Sequence, residues 1–232
     1  MKTPFVNIHT HNINNIDNEG FIEIRNINID NDVNVDVSSF YSIGMHPWDI
    51  MTHNLEEYQE FIKRNLNDKK LLALGECGLD RAISTDFERQ KRIFIKHIEM
   101  SEQYRKPLII HAVRAYPDII ATRKETKATM PWIIHGFQGN EQSVEQLLRH
   151  EIYFSLGDVL FKNPDKTKRL LNIIPKERLF LETDDSKTDI IEMYDKTTSL
   201  ISVDIDELKT IIFNNFIKVF GDIWNGIQGH NC

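Results

Sequence analysis

From Leu55 onward this chain repeats one pattern. A short, almost wholly apolar run gives way to a stretch of helical periodicity, and then the cycle starts again. LLALGE (71–76), PLIIH (107–111), PWIIH (131–135), IYFSLG (152–157) and RLFLETD (178–184) are the apolar runs. VNIHTH (6–11) and YSIGMH (41–46) precede them, and FIEIRNINI (21–29) supplies an eighth candidate. Runs without polar alternation fit strands buried on both faces, the condition of a parallel sheet covered by helices. Between them, LEEYQEFIKRNL puts Leu55, Tyr58, Ile62 and Leu66 on one helical face. Thr85 opens a capping-box pattern, TDFE, for a helix turning Phe87, Phe94 and Ile98 inward. Further helices are expected around Pro117 to Glu125, over NEQSVEQLLRH, after the Asn163–Pro164 pair, and over DIDELKTIIFNNFIKVFG up to Gly221.

Eight strands favour a closed (β/α) barrel over an open doubly wound sheet. No glycine-rich phosphate loop follows any strand, which weighs against a nucleotide-binding open sheet. The expectation is an α/β, TIM-like barrel forming a single domain over residues 1–232. Only 28 residues lie between His11 and Phe40, whereas each strand–helix–strand unit takes about 30. The barrel is therefore expected to be abbreviated over residues 12–40, with one or two outer helices missing.

The ends of the strands carry the chemistry. The first run ends in His9-Thr10-His11, and the others in His46, Glu76, His111, His135 and Asp184. In barrels the C-terminal rim is where catalytic groups gather. Five of the nine histidines stand there beside two acids, and that convergence is the signal. His9 and His11, at i and i+2, project to one face of their strand. Neutral imidazoles with carboxylates and no thiolate suit a divalent cation such as Zn²⁺, Mn²⁺, Ni²⁺ or Mg²⁺. Six candidate ligands (His9, His11, Glu76, His111, His135, Asp184) exceed the needs of one tetrahedral ion and match two ions sharing a carboxylate. Cys77, next to Glu76, is read as packing. His53, His97 and His150, in or beside helices, and His230 in the tail are read as solvated.

Taken together, HTH, GMHPW, GECGLD, RQ..F ahead of PLIIH, HGFQG and LETDD resemble the TatD-type metal-dependent hydrolases, often described as deoxyribonucleases. The resemblance implies a distorted TIM barrel and metal-dependent phosphodiester hydrolysis. It further implies that His9, His11 and Asp184 hold one metal, Glu76 bridges, and His111 and His135 hold the second. Three positions depart from the family pattern. Asn7 replaces an aspartate, the segment after the histidine pair is short and Asn-rich, and Ser186 replaces a proline.

On this reading Asp184 is the general base and Glu76 the bridging ligand. Arg114 is a phosphate clamp, and His46 and Trp48 are substrate contacts, Trp48 by stacking an unpaired base. DNA ends, short oligonucleotides or small phosphodiesters are the expected substrates, because a formal charge of −7 does not favour gripping long duplex. Two rivals stand beside it: a hydrolase of the same fold acting on a small ester, lactone, amide or phosphotriester, and a metal-binding protein without turnover. No strand ends in the lysine that bridges metals in many small-molecule barrels. Two cysteines, no secretory signal and no membrane-length apolar run point to the cytoplasm. No obligatory protein partner is expected.

Overall fold

The computed structural model describes residues 2–12, 20–29 and 40–221. Eight parallel strands run in chain order around one sheet. They are β1 (Phe5–Thr10), β2 (Phe21–Ile27), β3 (Phe40–Ile43), β4 (Leu71–Asp80), β5 (Leu108–Val113), β6 (Trp132–Ile134), β7 (Tyr153–Leu156) and β8 (Leu179–Leu181). The last strand returns to the first through a parallel bridge between Thr10 and Asp184. There His11 N–H donates to the Asp184 carbonyl at 3.2 Å, and Asp184 N–H donates to the His9 carbonyl at 3.0 Å. The barrel is distorted: its register slips between Asn7 and Thr10, between Tyr41 and Ser42, and between Leu74 and Cys77. FIEIRNI does supply the eighth strand. The outer helices expected to be missing between residues 12 and 40 would fall on 13–19 and 30–39, which lie outside the described residues, as do His230 and Cys232.

Eight helices are described: α1 (Leu55–Asn65), α2 (Phe87–Tyr104), α3 (Tyr116–Thr126), α4 (Glu141–Leu148), α5 (Val159–Lys162), α6 (Pro164–Ile173), α7 (Ile190–Ile201) and α8 (Ile205–Phe220). Tyr58 and Ile62 of α1 are buried as their spacing requires, with Leu55 and Leu66 partly so. No described helix is long and apolar enough to cross a membrane.

Two caps differ from the sequence reading. Helix α2 begins one residue later than TDFE suggests: its cap is Asp86, whose carboxylate accepts the Glu88 N–H at 2.9 Å. The Thr85 carbonyl instead accepts the Gln90 side-chain amide at 3.1 Å. Pro164 does open α6, but the Asn163 side chain makes no cap bond, since the residue is a junction directly after α5. Helix α7 was not expected. It is capped by Asp189 and buries Ile190, Met193, Tyr194 and Thr197. Tyr194 then anchors β1, its hydroxyl accepting the Val6 N–H at 3.0 Å and donating to the Val6 carbonyl at 3.2 Å.

Strand β4 runs four residues beyond Glu76, with all ten positions buried. Gly75 and Gly78 allow this. Both have strongly positive φ (147° and 145°), and a Cβ on either would overlap the carbonyl oxygen of Ile109 or His111. β5 can therefore press against β4 on both sides of Glu76, which fixes the depth at which Glu76 and His111 meet.

Candidate metal centre

Glu76 is the hub. Its side chain is 6% exposed, and its two oxygens face two different groups of imidazoles. Oε2 lies 3.3 Å from His9 Nε2 and 3.4 Å from His11 Nε2. Oε1 lies 2.7 Å from His135 Nε2, 2.9 Å from His111 Nδ1 and 3.1 Å from His46 Nε2. Asp184 Oδ1 stands 3.6 Å from the Nε2 atoms of both His9 and His11. All six candidate ligands named from the sequence, together with His46, thus converge on one point at the C-terminal rim. The Glu76 backbone is held as well, its N–H donating to Asn26 Oδ1 at 2.8 Å.

The geometry on the His9–His11 side fits a cation. His9 is wholly buried, yet neither of its ring nitrogens makes a hydrogen bond. Two nitrogen or oxygen ligands about 2.1 Å from a tetrahedral ion are about 3.4 Å apart. The four separations among His9, His11, Glu76 and Asp184 run from 3.3 to 3.6 Å. Groups of three ligand atoms close enough to share an ion include His9–His11–Asp184 and His9–Glu76–His135.

Charge is strongly displaced here. Burial and the neighbouring His135 push the His9 pKa down, but the Asp184 and Glu76 carboxylates outweigh them and raise it to about 9. Burial likewise opposes the charged form of His135, and Glu76 and Glu182 reverse that, holding it well above its ordinary value. Burial would raise the Glu76 carboxyl, but His135, His11 and His111 hold it well below the usual range. Asp184 follows the same pattern: burial raises it, and His9 and His135 bring it below its ordinary value. Carboxylates that stay ionised beside imidazoles suit a site where a cation replaces the ring protons.

Two acids that the sequence reading did not single out stand behind the histidines. Asp80 Oδ2 is 3.2 Å from His111 Nε2, and Glu182 Oε1 is 3.5 Å from His135 Nδ1. Glu182 is fully buried, accepts the Gly136 N–H at 2.5 Å, and leaves Oε2 without a partner. A carboxylate on the outer nitrogen orients a ligating imidazole and raises its basicity. Both acids had a signal: Glu76 and Asp80 share a strand face at i and i+4, and Glu182 and Asp184 do so at i and i+2.

The rim contacts are less enclosed. The Trp48 ring is 62% exposed, with its indole N–H donating to Asp80 Oδ2 at 3.0 Å. Arg114 is exposed one residue past β5, with φ 53°, and makes no ion pair or hydrogen bond among the described residues. A cavity of about 250 Å³ opens on the β6–β8 side, where Gly136, Gln138, Lys162, Glu182 and Asp184 line it.

Three further readings resolve. Cys77 is buried against the Ile109 carbonyl, 3.9 Å away. His97 is not solvated: it is fully buried and pushed down to about 4 by that burial. It lies on the inner face of α2 with Phe94, Ile98 and Ser101. Asn7 belongs to the barrel seam and is not among the converging ligands. Its amide donates to Thr183 Oγ1 at 2.9 Å and Glu23 Oε1 at 3.3 Å, and its carbonyl accepts the Thr183 N–H at 3.1 Å. With Glu23 alongside, only a residue that can both donate and accept satisfies the position.

A parallel barrel whose mouth gathers histidines around a buried glutamate and a rim aspartate is the architecture of a metal-dependent hydrolase. The family model described as "TatD related DNase" matches residues 25–221. The chain belongs to this TatD-related family. The uncharacterised metal-dependent hydrolase YabD of Bacillus subtilis is 33% identical over 148 residues, covering 62% of this chain and 58% of that protein. A Cronobacter sakazakii protein named "3'-5' ssDNA/RNA exonuclease TatD" is 30% identical over 146 residues, covering 61% of this chain and 55% of its own length. The chain thus spans under two thirds of these relatives. The crystal structure of YjjV, a TatD homologue from Escherichia coli, superposes with a TM-score of 0.75 at 22% identity, over 86% of each chain. It shares the barrel.

Proposed function

We propose that this chain is a divalent-metal-dependent phosphodiesterase that degrades single-stranded DNA from an end, or short oligonucleotides, in the cytoplasm. Support comes from one observation above the others: both oxygens of the buried Glu76 are occupied, each by a separate set of imidazoles. A carboxylate so placed suits a bridge between two ions. In this reading His9, His11 and Asp184 would hold one ion and His111 and His135 the other, with one oxygen of Glu76 facing each set. Ions held there would lower the pKa of water and offset charge developing on a phosphoryl oxygen.

The chain's own groups do the remaining work. The second oxygen of Asp184, the one not turned toward His9 and His11, accepts the proton of the attacking water, its carboxyl being kept ionised by His9. Its side chain is 41% exposed, so that proton can leave to solvent. Arg114, unpaired among the described residues, clamps a phosphate, and Trp48 offers an exposed ring to an unpaired base. The activity named for the Cronobacter relative is of this kind. The acidic balance of −7 agrees with a few local phosphate contacts in place of a duplex-binding stripe.

The test is turnover of a short single-stranded DNA, a duplex, a simple aryl phosphodiester, a phosphotriester and a carboxyl ester, each with Mn²⁺, Mg²⁺ or Zn²⁺. Phosphodiester cleavage that requires metal is expected, with Asp184→Ala lowering kcat by about 10²–10⁴-fold. Cleavage of carboxyl esters alone would overturn the substrate class, and a fully active Asp184→Ala would remove the general base. An absence of turnover on every substrate would leave a metal-binding protein.

A further inference from the structure

Three imidazoles crowd Glu76 Oε1, and distance alone would make all three metal ligands. His46 Nε2, Glu76 and His111 even form one of the groups compact enough to share an ion. What stands behind each ring separates them. The outer nitrogens of His111 and His135 face carboxylates, Asp80 at 3.2 Å and Glu182 at 3.5 Å. A carboxylate is an acceptor, so it holds the ring proton on the outer nitrogen and turns a lone pair toward Glu76. His46 has the opposite partner. Its Nδ1 receives the backbone N–H of Trp48 at 3.1 Å. A backbone amide can only donate, so Nδ1 carries the lone pair and the proton of the neutral ring sits on Nε2. That N–H points at Glu76 Oε1, 3.1 Å away.

We infer that His46 is excluded from the metal-ligand set and presents Nε2–H as a hydrogen-bond donor that holds an oxygen of the substrate. For Nε2 to ligate a metal, the proton would have to move to Nδ1, where it would meet the Trp48 N–H. The loop around it resists rearrangement. Asp49 N–H donates to the His46 carbonyl at 2.9 Å, and the Trp48 indole is tied to Asp80 at 3.0 Å. Met45 N–H donates to the buried His97 Nε2 at 3.0 Å, while His97 Nδ1 lies 3.0 Å from the Ile93 carbonyl. His97 is therefore fixed in the opposite tautomer, with its proton on Nδ1 and its lone pair on Nε2, and it locks the residue before His46. It is a positioning residue for this loop.

The ligand that His46 selects is an acceptor oxygen that can take the place of Glu76 Oε1 on the N–H. Under the phosphodiesterase proposal, on which this part rests, that oxygen belongs to the phosphoryl group.

The experiment has two arms. In the first, protein with ¹⁵N-labelled histidine is loaded with Zn²⁺, and its ring nitrogens are read by NMR. Bound Zn²⁺ is counted in the wild type, His46→Ala and His111→Ala. His46 is expected to show a protonated Nε2 and an unprotonated Nδ1. His46→Ala should keep the wild-type zinc content, whereas His111→Ala should lose zinc. A protonated Nδ1 on His46, or zinc loss in His46→Ala, would overturn the exclusion. This arm needs no turnover, so it stands even if the substrate class proves wrong.

In the second arm, kcat and KM are measured on a short single-stranded DNA and on bis(4-nitrophenyl) phosphate. His46→Ala should lose about 10- to 100-fold in kcat/KM, the range of a hydrogen bond to a charged oxygen. His46→Gln, which keeps an N–H donor, should recover part of the loss. Equal kcat/KM in His46→Ala and wild type, or no difference between the Ala and Gln variants, would overturn the donor role. If the wild type cleaves no phosphodiester, the substrate assignment falls with the proposed function, and the first arm still decides whether His46 is a ligand.

Discussion

Removing metal should make this protein less stable as pH rises. His9 is wholly buried with a pKa raised to about 9, from an ordinary 6.5. A group raised in the folded state stabilises it fully below the unfolded pKa, and that contribution is lost as pH climbs through the folded one. The gap from 6.5 to about 9, at about 1.4 kcal/mol per pH unit, gives about 3 kcal/mol. His135 is displaced in the same direction, so the two titrate as a coupled pair and the loss falls in the same window. Glu76 and Asp184 are moved the other way; their contribution is in place above about pH 4.5 and does not change across it. His97, lowered to about 4, destabilises only below 6.5. For a chain of this size, about 3 kcal/mol corresponds to roughly 6–12 °C in Tm. The assay is thermal unfolding of the chelated protein from pH 6.5 to 9, repeated with excess Zn²⁺. The chelated midpoint should fall, and the zinc-induced increment should grow, because ligation requires deprotonated imidazoles. A chelated midpoint that is flat or rising over that range would refute the reasoning.

Glu182→Gln preserves volume but removes the acceptor behind His135. Zinc affinity, measured by competition with a chromophoric chelator, should drop about 10- to 100-fold. Asn7→Asp should destabilise by about 2–3 kcal/mol in denaturant unfolding, since it strips two donated bonds and places a second acid against Glu23. Adding Glu23→Gln should recover much of that loss. Gly78→Ala should cost more than about 4 kcal/mol, read as loss of cooperative unfolding or of soluble protein, because its Cβ has no room against the His111 carbonyl at φ 145°.

The converging histidines were legible because a parallel barrel turns sequence order into spatial order. Each strand delivers its C-terminal residue to one rim, so six scattered residues could be assembled without coordinates. What stood behind them was less visible. Asp80 was missed because GECGLD reads as a strand that stops at Glu76; the glycines that look like breakers let β4 continue against β5. Glu182 was passed over beside Asp184, although their i, i+2 spacing aims both toward the same end. His97 looked like a solvated helical residue, yet Phe94, Ile98 and Ser101 surround it at the spacing of one buried face. Helix α7 was overlooked because Thr197, Thr198 and Ser199 dilute its helix propensity, while Ile190, Met193 and Tyr194 carry the apolar face.

The two sides of the site are held by different means, and this gives the seam residues a functional reach. His111 has the Asp80 carboxylate of the adjoining strand behind its outer nitrogen, and His135 has the Glu182 carboxylate from the end of β8. His9 has no carboxylate behind its ring: Glu76 and Asp184 both face its Nε2, and its Nδ1 is buried without a hydrogen bond. Its position relative to Asp184 depends on the backbone bonds that close β1 against β8, namely His11 N–H to Asp184 and Asp184 N–H to His9. Those bonds are flanked by the Asn7–Thr183–Thr10 side-chain chain, with Thr183 Oγ1 donating to Thr10 Oγ1 at 3.0 Å. Tyr194 holds the same strand at Val6 from outside the barrel. A change that loosens this seam therefore shifts Asp184, His9 and His11 against one another, while His111 and His135 keep their supports. Asn7 ligates nothing in this arrangement, and it bears on the chemistry by keeping the first and last strands in register.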